Sequence, residues 1–175
     1  MAAAGGPVRA FLGNRVERAA VTVSDDVWLV TFRAGGQACA LPLDAVDRVV
    51  PMVALVPVGR VSPMVLGLID VHGAPVPVFD LTRRLQVESS AYGIAARLLI
   101  GRTTRRRYAV AAHAVDGAAR VPAGRMASIT ALLPGAGMLP AVLAGEGGLI
   151  FVHDPETFLT LDEQRELDDA ITVRT

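Results

Sequence analysis

The side chains that could carry out chemistry are few and scattered along the chain. The three histidines, His72, His113 and His153, are far apart, and none belongs to a metal-binding spacing such as HxxxH, HExxH or CxxC. The serines lack the GxSxG turn that presents a nucleophile, and the glycines do not form a phosphate-binding loop. Each histidine is therefore predicted to be a turn or surface residue. We expect no enzyme activity, no metal and no cofactor.

The remaining reactive side chains have structural explanations. Asp80 and Asp154 could form a carboxylate pair, but each follows an apolar segment and precedes residues that can begin a helix. An Asp in that position commonly caps the helix N-terminus, and capping is the interpretation we adopt. Cys39 is the single cysteine, so no disulfide can form within the chain. It is predicted to be a small buried hydrophobic residue in a strand.

One segment carries a conspicuous run of charge: Arg102 to Arg107, between two predicted strands. A solvated hairpin tip is the simplest interpretation. The alternative is a basic contact for an acidic partner or for a nucleic-acid backbone. Tyr108 is its sole aromatic neighbour, which does not indicate a base-stacking groove. Residues 154–169 hold seven acidic side chains and one arginine, and form an opposite pole.

Composition predicts a compact protein with balanced charge. The 175 residues are 52% hydrophobic and carry 17 basic and 17 acidic side chains. This balance disfavours general nucleic-acid or anionic-membrane binding, which needs a net basic face. Residues 126–145 are uncharged, but two prolines and a Gly-x-Gly sequence would leave backbone groups without partners in lipid, so we expect a loop with short strands. Residues 1–24 show no signal-peptide pattern and are predicted to be a flexible extension.

Short apolar strands must position these residues. Residues 66–81 (LGLIDVHGAPVPVFDL) contain an apolar segment, Leu66–Val71, a turn at His72-Gly73, and a second apolar segment, Ala74–Phe79. Apolar runs of this length between turn residues favour buried strands over a helix. Two prolines, Pro75 and Pro77, remove N–H donors from one side of the second strand. We therefore predict that this strand lies at an edge or beside a bulge.

The chain also repeats itself loosely. Residues 40–47 (ALPLDAVD) align with residues 109–116 (AVAAHAVD), and the same offset places residues 28–33 on residues 97–102. Near its end, each half has an Asp that follows a strand. This repetition predicts two similar lobes of short antiparallel strands.

Helices are predicted to be minor. The Thr160-Leu161-Asp162-Glu163 sequence is a capping box, and it predicts a C-terminal helix at about 161–170. Leu161 and Leu167 would lie near one face of this helix. A second short helix is predicted after Asp80, through Arg84.

The Gly67–Leu81 segment resembles the sheet-core signature of CheW-like domains, the coupling proteins of bacterial chemotaxis. That family typically has Gly-x-(Ile/Val)-Asn-x-Arg-Gly, a few residues, and then Pro-(Val/Ile)-x-Asp-Leu. Residues 27–33 and 37–43 are similar to the family's opening hairpin, and residues 148–159 (GLIFVHDPETFL) to its closing strand and turn. The positions that match the signature are Gly67, Ile69, Gly73, Pro77, Asp80 and Leu81.

The resemblance implies a mainly β fold. Two small five-stranded SH3-like barrels would pack together, with short helices and a C-terminal helix, within a CheW-like domain at 25–175. We expect the lobes at about 27–90 and 95–160, sharing a core.

The resemblance also implies a function. It is that of a cytoplasmic, non-enzymatic adaptor that couples chemoreceptors to a CheA-type histidine kinase. Its partners would be the regulatory domain of the kinase and the signalling tip of a methyl-accepting chemoreceptor, with no nucleic acid and no membrane insertion. Two alternatives stay open: a divergent regulator of another signalling system, such as surface motility, and a small-barrel nucleic-acid-binding protein.

The chain departs from the family pattern on its expected partner-binding surface. Asp70 replaces the usual Asn, His72 replaces the usual Arg, and Arg48 stands where the family often has the acid that pairs with that Arg. The usual ion pair therefore cannot form. By resemblance, the predicted partner-binding residues are Val46, Arg48, Asp70, His72 and Gly73.

These departures have more than one interpretation. Asp47 or Asp70 could supply a substitute carboxylate, or an exposed pair could matter little, since such pairs contribute under about 1 kcal/mol. The other interpretation is altered partner choice, because reversed charge at the rim of an interface changes discrimination between partners. Because histidine changes charge between about pH 5 and 8, His72 would also make this surface respond to pH.

Overall fold

The described part of the chain folds into short strands with two α-helices. The computed structural model describes residues 26–128 and 141–173, so the predictions for residues 1–24, and for 129–140 within the uncharged segment, lie outside the described residues. The described helices are α1 (Leu81–Leu85) and α2 (Leu161–Thr172). The described strands are β1 (Asp26–Ala34), β2 (Gln37–Pro42), β3 (Val46–Pro51), β4 (Val65–Val71), β5 (Ala74–Phe79), β6 (Arg97–Arg102), β7 (Arg107–Ala112), β8 (Ala114–Pro122), β9 (Ala141–Gly145) and β10 (Gly148–Val152).

The strands form two five-stranded sheets that are related by an internal repeat. Their orders are β8-β1-β2-β10-β9 and β3-β6-β7-β5-β4, and exchanging each strand for its counterpart in the other half of the chain converts one order into the other. Each sheet combines three strands of one half with two of the other. The sheets therefore differ from the ranges 27–90 and 95–160. Sequence similarity identifies the repeated units, but it does not say which unit each strand pairs with.

Each sheet closes on itself through the chain that continues its edge strand. After β3 the chain runs to Val56, which forms a bridge with Leu68 in β4; after β8 it runs to Ala127, which forms a bridge with Val142 in β9. The hydrogen bonds of both bridges are 2.8–2.9 Å long. The same bridge occurs in both sheets, where it joins the chain that follows one end strand to the strand at the other end of the sheet. The predicted fold of two small five-stranded barrels with a C-terminal helix is confirmed. We call them barrel A (containing β1) and barrel B (containing β3).

Three apolar clusters stabilise this arrangement. Successive residues of β1 face different clusters: Leu29 points into barrel A, whereas Val30 and Phe32 point toward barrel B. The cluster inside barrel A consists of Leu29, Ala40, Val121, Leu143 and Val152. The cluster inside barrel B consists of Ile69, Val71, Val76, Val78, Leu98, Ile100, Ala109 and Ala111. The largest cluster lies between the barrels and consists of Val30, Phe32, Ala34, Cys39, Leu41, Met64, Phe79, Leu81, Leu99, Tyr108, Val110, Ala112, Phe158, Leu159 and Leu167.

The β4–β5 hairpin has the predicted strands and turn, but β5 does not lie at an edge. It lies between β4 and β7, so the edge alternative is wrong, but β4 has a bulge between Val65 and Gly67 where it pairs with β5, as the second alternative predicted. The parallel pairing with β7 includes only Val78 and Phe79, beyond both prolines. Pro75 and Pro77 therefore need no N–H group toward β7, which is how an interior strand accommodates them.

Asp80 and Asp154, which could have formed a carboxylate pair, are helix caps, as predicted. The Asp80 carboxylate accepts hydrogen bonds from the backbone N–H of Thr82 at 2.9 Å and from its hydroxyl at 2.6 Å. Asp154 accepts from the backbone N–H of Glu156 at 3.0 Å, at the start of the short 3-10 helix Pro155–Thr157. Both carboxylates thus have structural partners.

The C-terminal helix begins with the predicted capping box and continues past Ala170 to Thr172. Leu167 is fully buried, but Leu161, predicted for the same face, is exposed. In residues 26–128 and 141–173, no helix has the length and apolar character needed to cross a membrane.

The backbone of barrel B comes unusually close to itself at Gly101. This residue pairs with Val46 on β3, next to a bulge at Asp47. The Tyr108 hydroxyl donates a hydrogen bond to the carbonyl oxygen of Ala45 at 2.5 Å. A Cβ atom on Gly101 would lie 1.9 Å from that oxygen and 2.8 Å from the hydroxyl. Any side chain here would force β3 away from β6.

We therefore expect Gly101→Ala to lower the free energy of unfolding by about 2 kcal/mol or more, since the clash involves backbone and a buried hydrogen bond. Urea denaturation measures this change. Gly36→Ala is the matched control, because its Cβ would meet nothing within 4 Å, and it should change stability by less than about 0.5 kcal/mol. Equal denaturation midpoints for the two variants would contradict the close approach.

His153 is buried, so its prediction as a turn or surface residue is wrong. It is 1% exposed and directly precedes the capping Asp154, as Phe79 precedes Asp80 in the first half. Both ring nitrogens are without a hydrogen-bond partner among the described residues. Burial, with a smaller contribution from repulsion by Arg84, lowers the pKa of His153 to about 3. The imidazole therefore acts as a neutral core side chain.

This lowered pKa predicts a loss of stability in acid. Below about pH 6.5 the unfolded chain binds a proton at His153, whereas the folded chain takes it up only near about pH 3, so stability falls as the pH falls through this window. His153→Phe, which introduces the residue of the equivalent position, should remove about 2 kcal/mol of this loss between pH 7 and 5. Urea denaturation at each pH measures the effect.

Two variants serve as controls for this measurement. His153→Leu also has no titratable group but a smaller side chain. It should remove the same loss of stability in acid even where the ring of His153→Phe is too large for the site. His72→Gln changes an exposed histidine and should keep the acid sensitivity of the wild type. If all four proteins lose stability equally between pH 7 and 5, His153 is not the group responsible.

Candidate partner-binding surface

The residues predicted to bind a partner lie on barrel B, at β3 and at the turn between β4 and β5. Val46 and Arg48 belong to β3, Asp70 lies near the end of β4, and His72 and Gly73 form the turn. All except Val46 are exposed. Val46 is partly buried and packs against the cluster between the barrels. Four of the five are therefore accessible, while Val46 anchors the start of the strand.

The turn holds His72 in a defined position. His72 has a φ angle of 57° and Gly73 of 82°, as expected for the primed turns that join antiparallel strands through two residues. The backbone N–H of Gly73 donates a hydrogen bond to Oδ1 of Asp70 at 2.6 Å. Asp70 thus provides the acceptor oxygen that an Asn would also provide, so this departure from the family pattern preserves the turn.

Arg48 and His72, the two other departures, contact each other. Nη2 of Arg48 lies 3.2 Å from Nε2 of His72. Because a guanidinium can only donate, a hydrogen bond between these atoms requires Nε2 as the acceptor and the ring proton on Nδ1. A hydrogen bond between a cation and a neutral ring thus occupies the place of the expected ion pair. The pair keeps a net charge of one.

Neither of the two carboxylates considered as substitutes forms an ion pair with Arg48 in the part of the chain that the structure describes. Asp47, at the β3 bulge, pairs with Arg102 at 3.1 Å. Asp70 is engaged by the turn. The Asp47–Arg102 pair has a counterpart in barrel A, where Arg33 lies 3.7 Å from Asp116 at the bulge of β8.

An exposed apolar strip, which the sequence interpretation missed, lies along β3 and the residues that follow it. Val50 and Met52 pack against the cluster inside barrel B, so the alternate residues face outward. The exposed fractions are 42% for Val49, 53% for Val53 and 49% for Val56. We call Val49, Pro51, Val53 and Val56 the β3 strip. Residues 49–59 contain no charged side chain, and that uncharged run was the available sequence signal. Outward positions on such a strand are usually polar, so the strip indicates a contact surface.

The arginine-rich segment, residues 102–107, is a hairpin tip, as predicted. Side chains of the acidic segment, residues 154–169, bind it. Thr104 donates its backbone N–H and its hydroxyl to the Glu156 carboxylate at 2.7 and 2.9 Å. Arg106 pairs with Asp168 on α2 at 2.7 Å. The two predicted poles therefore meet within the molecule and partly neutralise each other. The described residues also contain no group of three His, Cys, Asp or Glu side chains that could hold a metal.

Comparison with known proteins agrees with this architecture. The family model described as CheW-like domain matches residues 29–163. The crystal structure of the scaffolding protein TtCheW from Thermoanaerobacter tengcongensis superposes with a TM-score of 0.64 at 16% sequence identity, over 73% of this chain and 88% of that one. A search of curated protein sequences gives no match. The chain therefore belongs to the CheW-like domain family, whose members are non-enzymatic scaffolds of chemotaxis signalling.

Proposed function

We propose that this protein is a cytoplasmic adaptor that couples chemoreceptors to a CheA-type histidine kinase. The observation that carries the proposal is the family match over residues 29–163, together with the closed two-barrel fold. The proposed partners are the regulatory domain of the kinase and the signalling tip of a methyl-accepting chemoreceptor. The protein would transmit receptor state by holding these partners in a fixed relation, without chemistry of its own.

The distribution of apolar surface supports a protein that binds two partners. Large apolar side chains are exposed on both barrels: the β3 strip on barrel B, and Trp28 and Leu149, 51% and 53% exposed, on barrel A. Because the cluster between the barrels links them into one packed unit, a partner on each barrel would be held at a fixed separation. Exposed aromatic residues such as Trp28 are enriched at the centres of protein interfaces.

A divergent regulator of another signalling system, such as surface motility, is the second candidate. Arg48 and His72 favour it, because their charge differs from the arrangement expected for ordinary chemotaxis partners. Both candidates use the same surface and differ only in the identity of the partner. The nucleic-acid alternative loses its main support, since Thr104 and Arg106 of the basic hairpin are engaged by acidic side chains.

We expect the protein to bind the regulatory domain of at least one CheA-type kinase encoded in the same genome, with a specific interface of roughly 800 Å² per partner. Titration calorimetry against each of these domains measures the binding. A reconstitution of receptor, kinase and this protein should show kinase activity that depends on receptor state only when the protein is present.

The alternatives give different results in the same experiments. Binding only to a kinase from a motility system would favour the second candidate. If no kinase domain binds, and the protein instead binds DNA or RNA with an affinity that falls steeply with salt, the adaptor proposal fails.

A further inference from the structure

We propose that residues 87–95 form a strap that opens as a unit while both barrels stay folded, and that His113 is the latch that holds the strap closed. The strap connects α1 to β6 and contains no helix or strand. Only Val87 and Tyr92 are partly buried, whereas the other seven residues of the strap are exposed. The inference goes beyond the proposed function and does not depend on the identity of any partner.

His113 binds a different segment with each ring nitrogen. It lies directly after β7, where the chain passes from barrel B to barrel A. The backbone N–H of Gly35 donates to Nδ1 at 2.9 Å, and Nε2 lies 2.9 Å from the carbonyl oxygen of Ser90 in the strap. Since a carbonyl oxygen can only accept, these two hydrogen bonds require the ring proton on Nε2. The imidazole thus ties the strap to the β1–β2 turn of barrel A.

Tyr92 adds an apolar contact to the same closure. Its ring stacks on the His113 ring, with the centroids 4.4 Å apart and an interplanar angle of 23°. The side chain also packs against the cluster inside barrel B. Burial, with a smaller contribution from Asp80, raises the pKa of the Tyr92 hydroxyl. The ring therefore covers part of barrel B, and opening of the strap would remove it from there.

The backbone of the strap also touches the β1–β2 turn. Gly35 has a φ angle of 61°, and a Cβ atom on this residue would lie 2.8 Å from the carbonyl oxygen of Glu88. A side chain at this position would therefore push the strap away from the turn.

Few other hydrogen bonds hold the strap. Near its start, the backbone N–H of Val87 donates to the carbonyl oxygen of Thr82 at 3.1 Å. Near its end, the guanidinium of Arg97 donates to the carbonyl oxygen of Ile94 at 3.0 Å. Segments with few buried apolar contacts open at a lower free energy than the core of a protein. The middle of the strap therefore depends on its contacts with His113, and loss of these contacts should release it.

Limited proteolysis tests the latch without any partner. Chymotrypsin should cleave the folded protein after Tyr92 at a rate that follows the open fraction of the strap. His113→Phe keeps a ring for stacking but loses the donor to Ser90, so this cleavage should be about three- to ten-fold faster, the range expected for one hydrogen bond. Mass spectrometry identifies the cleavage site, and urea denaturation of each variant measures global stability.

Two further variants separate the two hydrogen bonds of the latch. Neither His113→Gln nor His113→Asn has a ring, but only the longer amide of Gln can place a donor near the Ser90 carbonyl oxygen. His113→Gln should therefore be cleaved after Tyr92 more slowly than His113→Asn. The shorter amide of Asn can still accept from Gly35, so amide exchange at Gly35 should be slower in His113→Asn than in His113→Gln.

A glycine pair tests the strap with the latch unchanged. Gly35→Ala should speed cleavage after Tyr92, because its Cβ atom would meet the Glu88 carbonyl oxygen. Gly73→Ala has comparable backbone strain, with a φ angle of 82°, but its Cβ atom would meet nothing within 4 Å, so it should leave this cleavage unchanged. Equal cleavage rates for wild type and all variants, or rates that only follow global stability, would overturn the strap and its latch. Either result would leave the proposed adaptor function untouched.

Discussion

The apolar cluster between the barrels is the constraint on which the rest of the structure depends. Phe158 packs edge-on against Phe79 and Tyr108, with ring centroids 5.4 and 5.8 Å apart. Since the barrels exchange strands between the two halves of the chain, neither half can complete a barrel by itself. The central cluster and the exchanged strands therefore depend on each other, and residues of one half fix the surface presented by the other.

The candidate partner-binding surface on barrel B shows this dependence directly. β3 belongs to the first half of the chain, but it is held by β6 and by the hydrogen bond from Tyr108 to Ala45, which come from the second half. The bulge at Asp47 directs that carboxylate to Arg102, so the acid next to Arg48 is not free to neutralise it. The exposed charge of Arg48 thus follows from interactions that stabilise the barrel, and mutations at the core could change the surface without touching it.

Local patterns predicted much of this fold, whereas long-range pairing was beyond them. Apolar runs and turn residues located the β4–β5 hairpin, and the position of Asp80 after a strand identified a cap. The exchange of strands, the interior place of β5 and the burial of His153 depend on packing between distant segments, which local sequence patterns do not reveal. At the partner surface, the resemblance pointed to Arg48 and His72. Their hydrogen bond required the geometry of two separate strands, and the β3 strip emerged only once outward and inward positions were known.

If Arg48 and His72 contact a partner, as proposed, the hydrogen bond between them shows how such a fold could change partners at little cost. An exposed ion pair contributes under about 1 kcal/mol to stability, so replacing it leaves the barrels intact. Its effect on recognition is larger, because an ion pair within the surface is already neutral, whereas Arg48 and His72 leave a positive charge that a partner can complement. The apolar clusters specify the fold. Arg48, on a strand, and His72, in a turn, would change the choice of partner without changing that fold. In the proposed function, partner specificity and stability are therefore set by different residues of the same barrel.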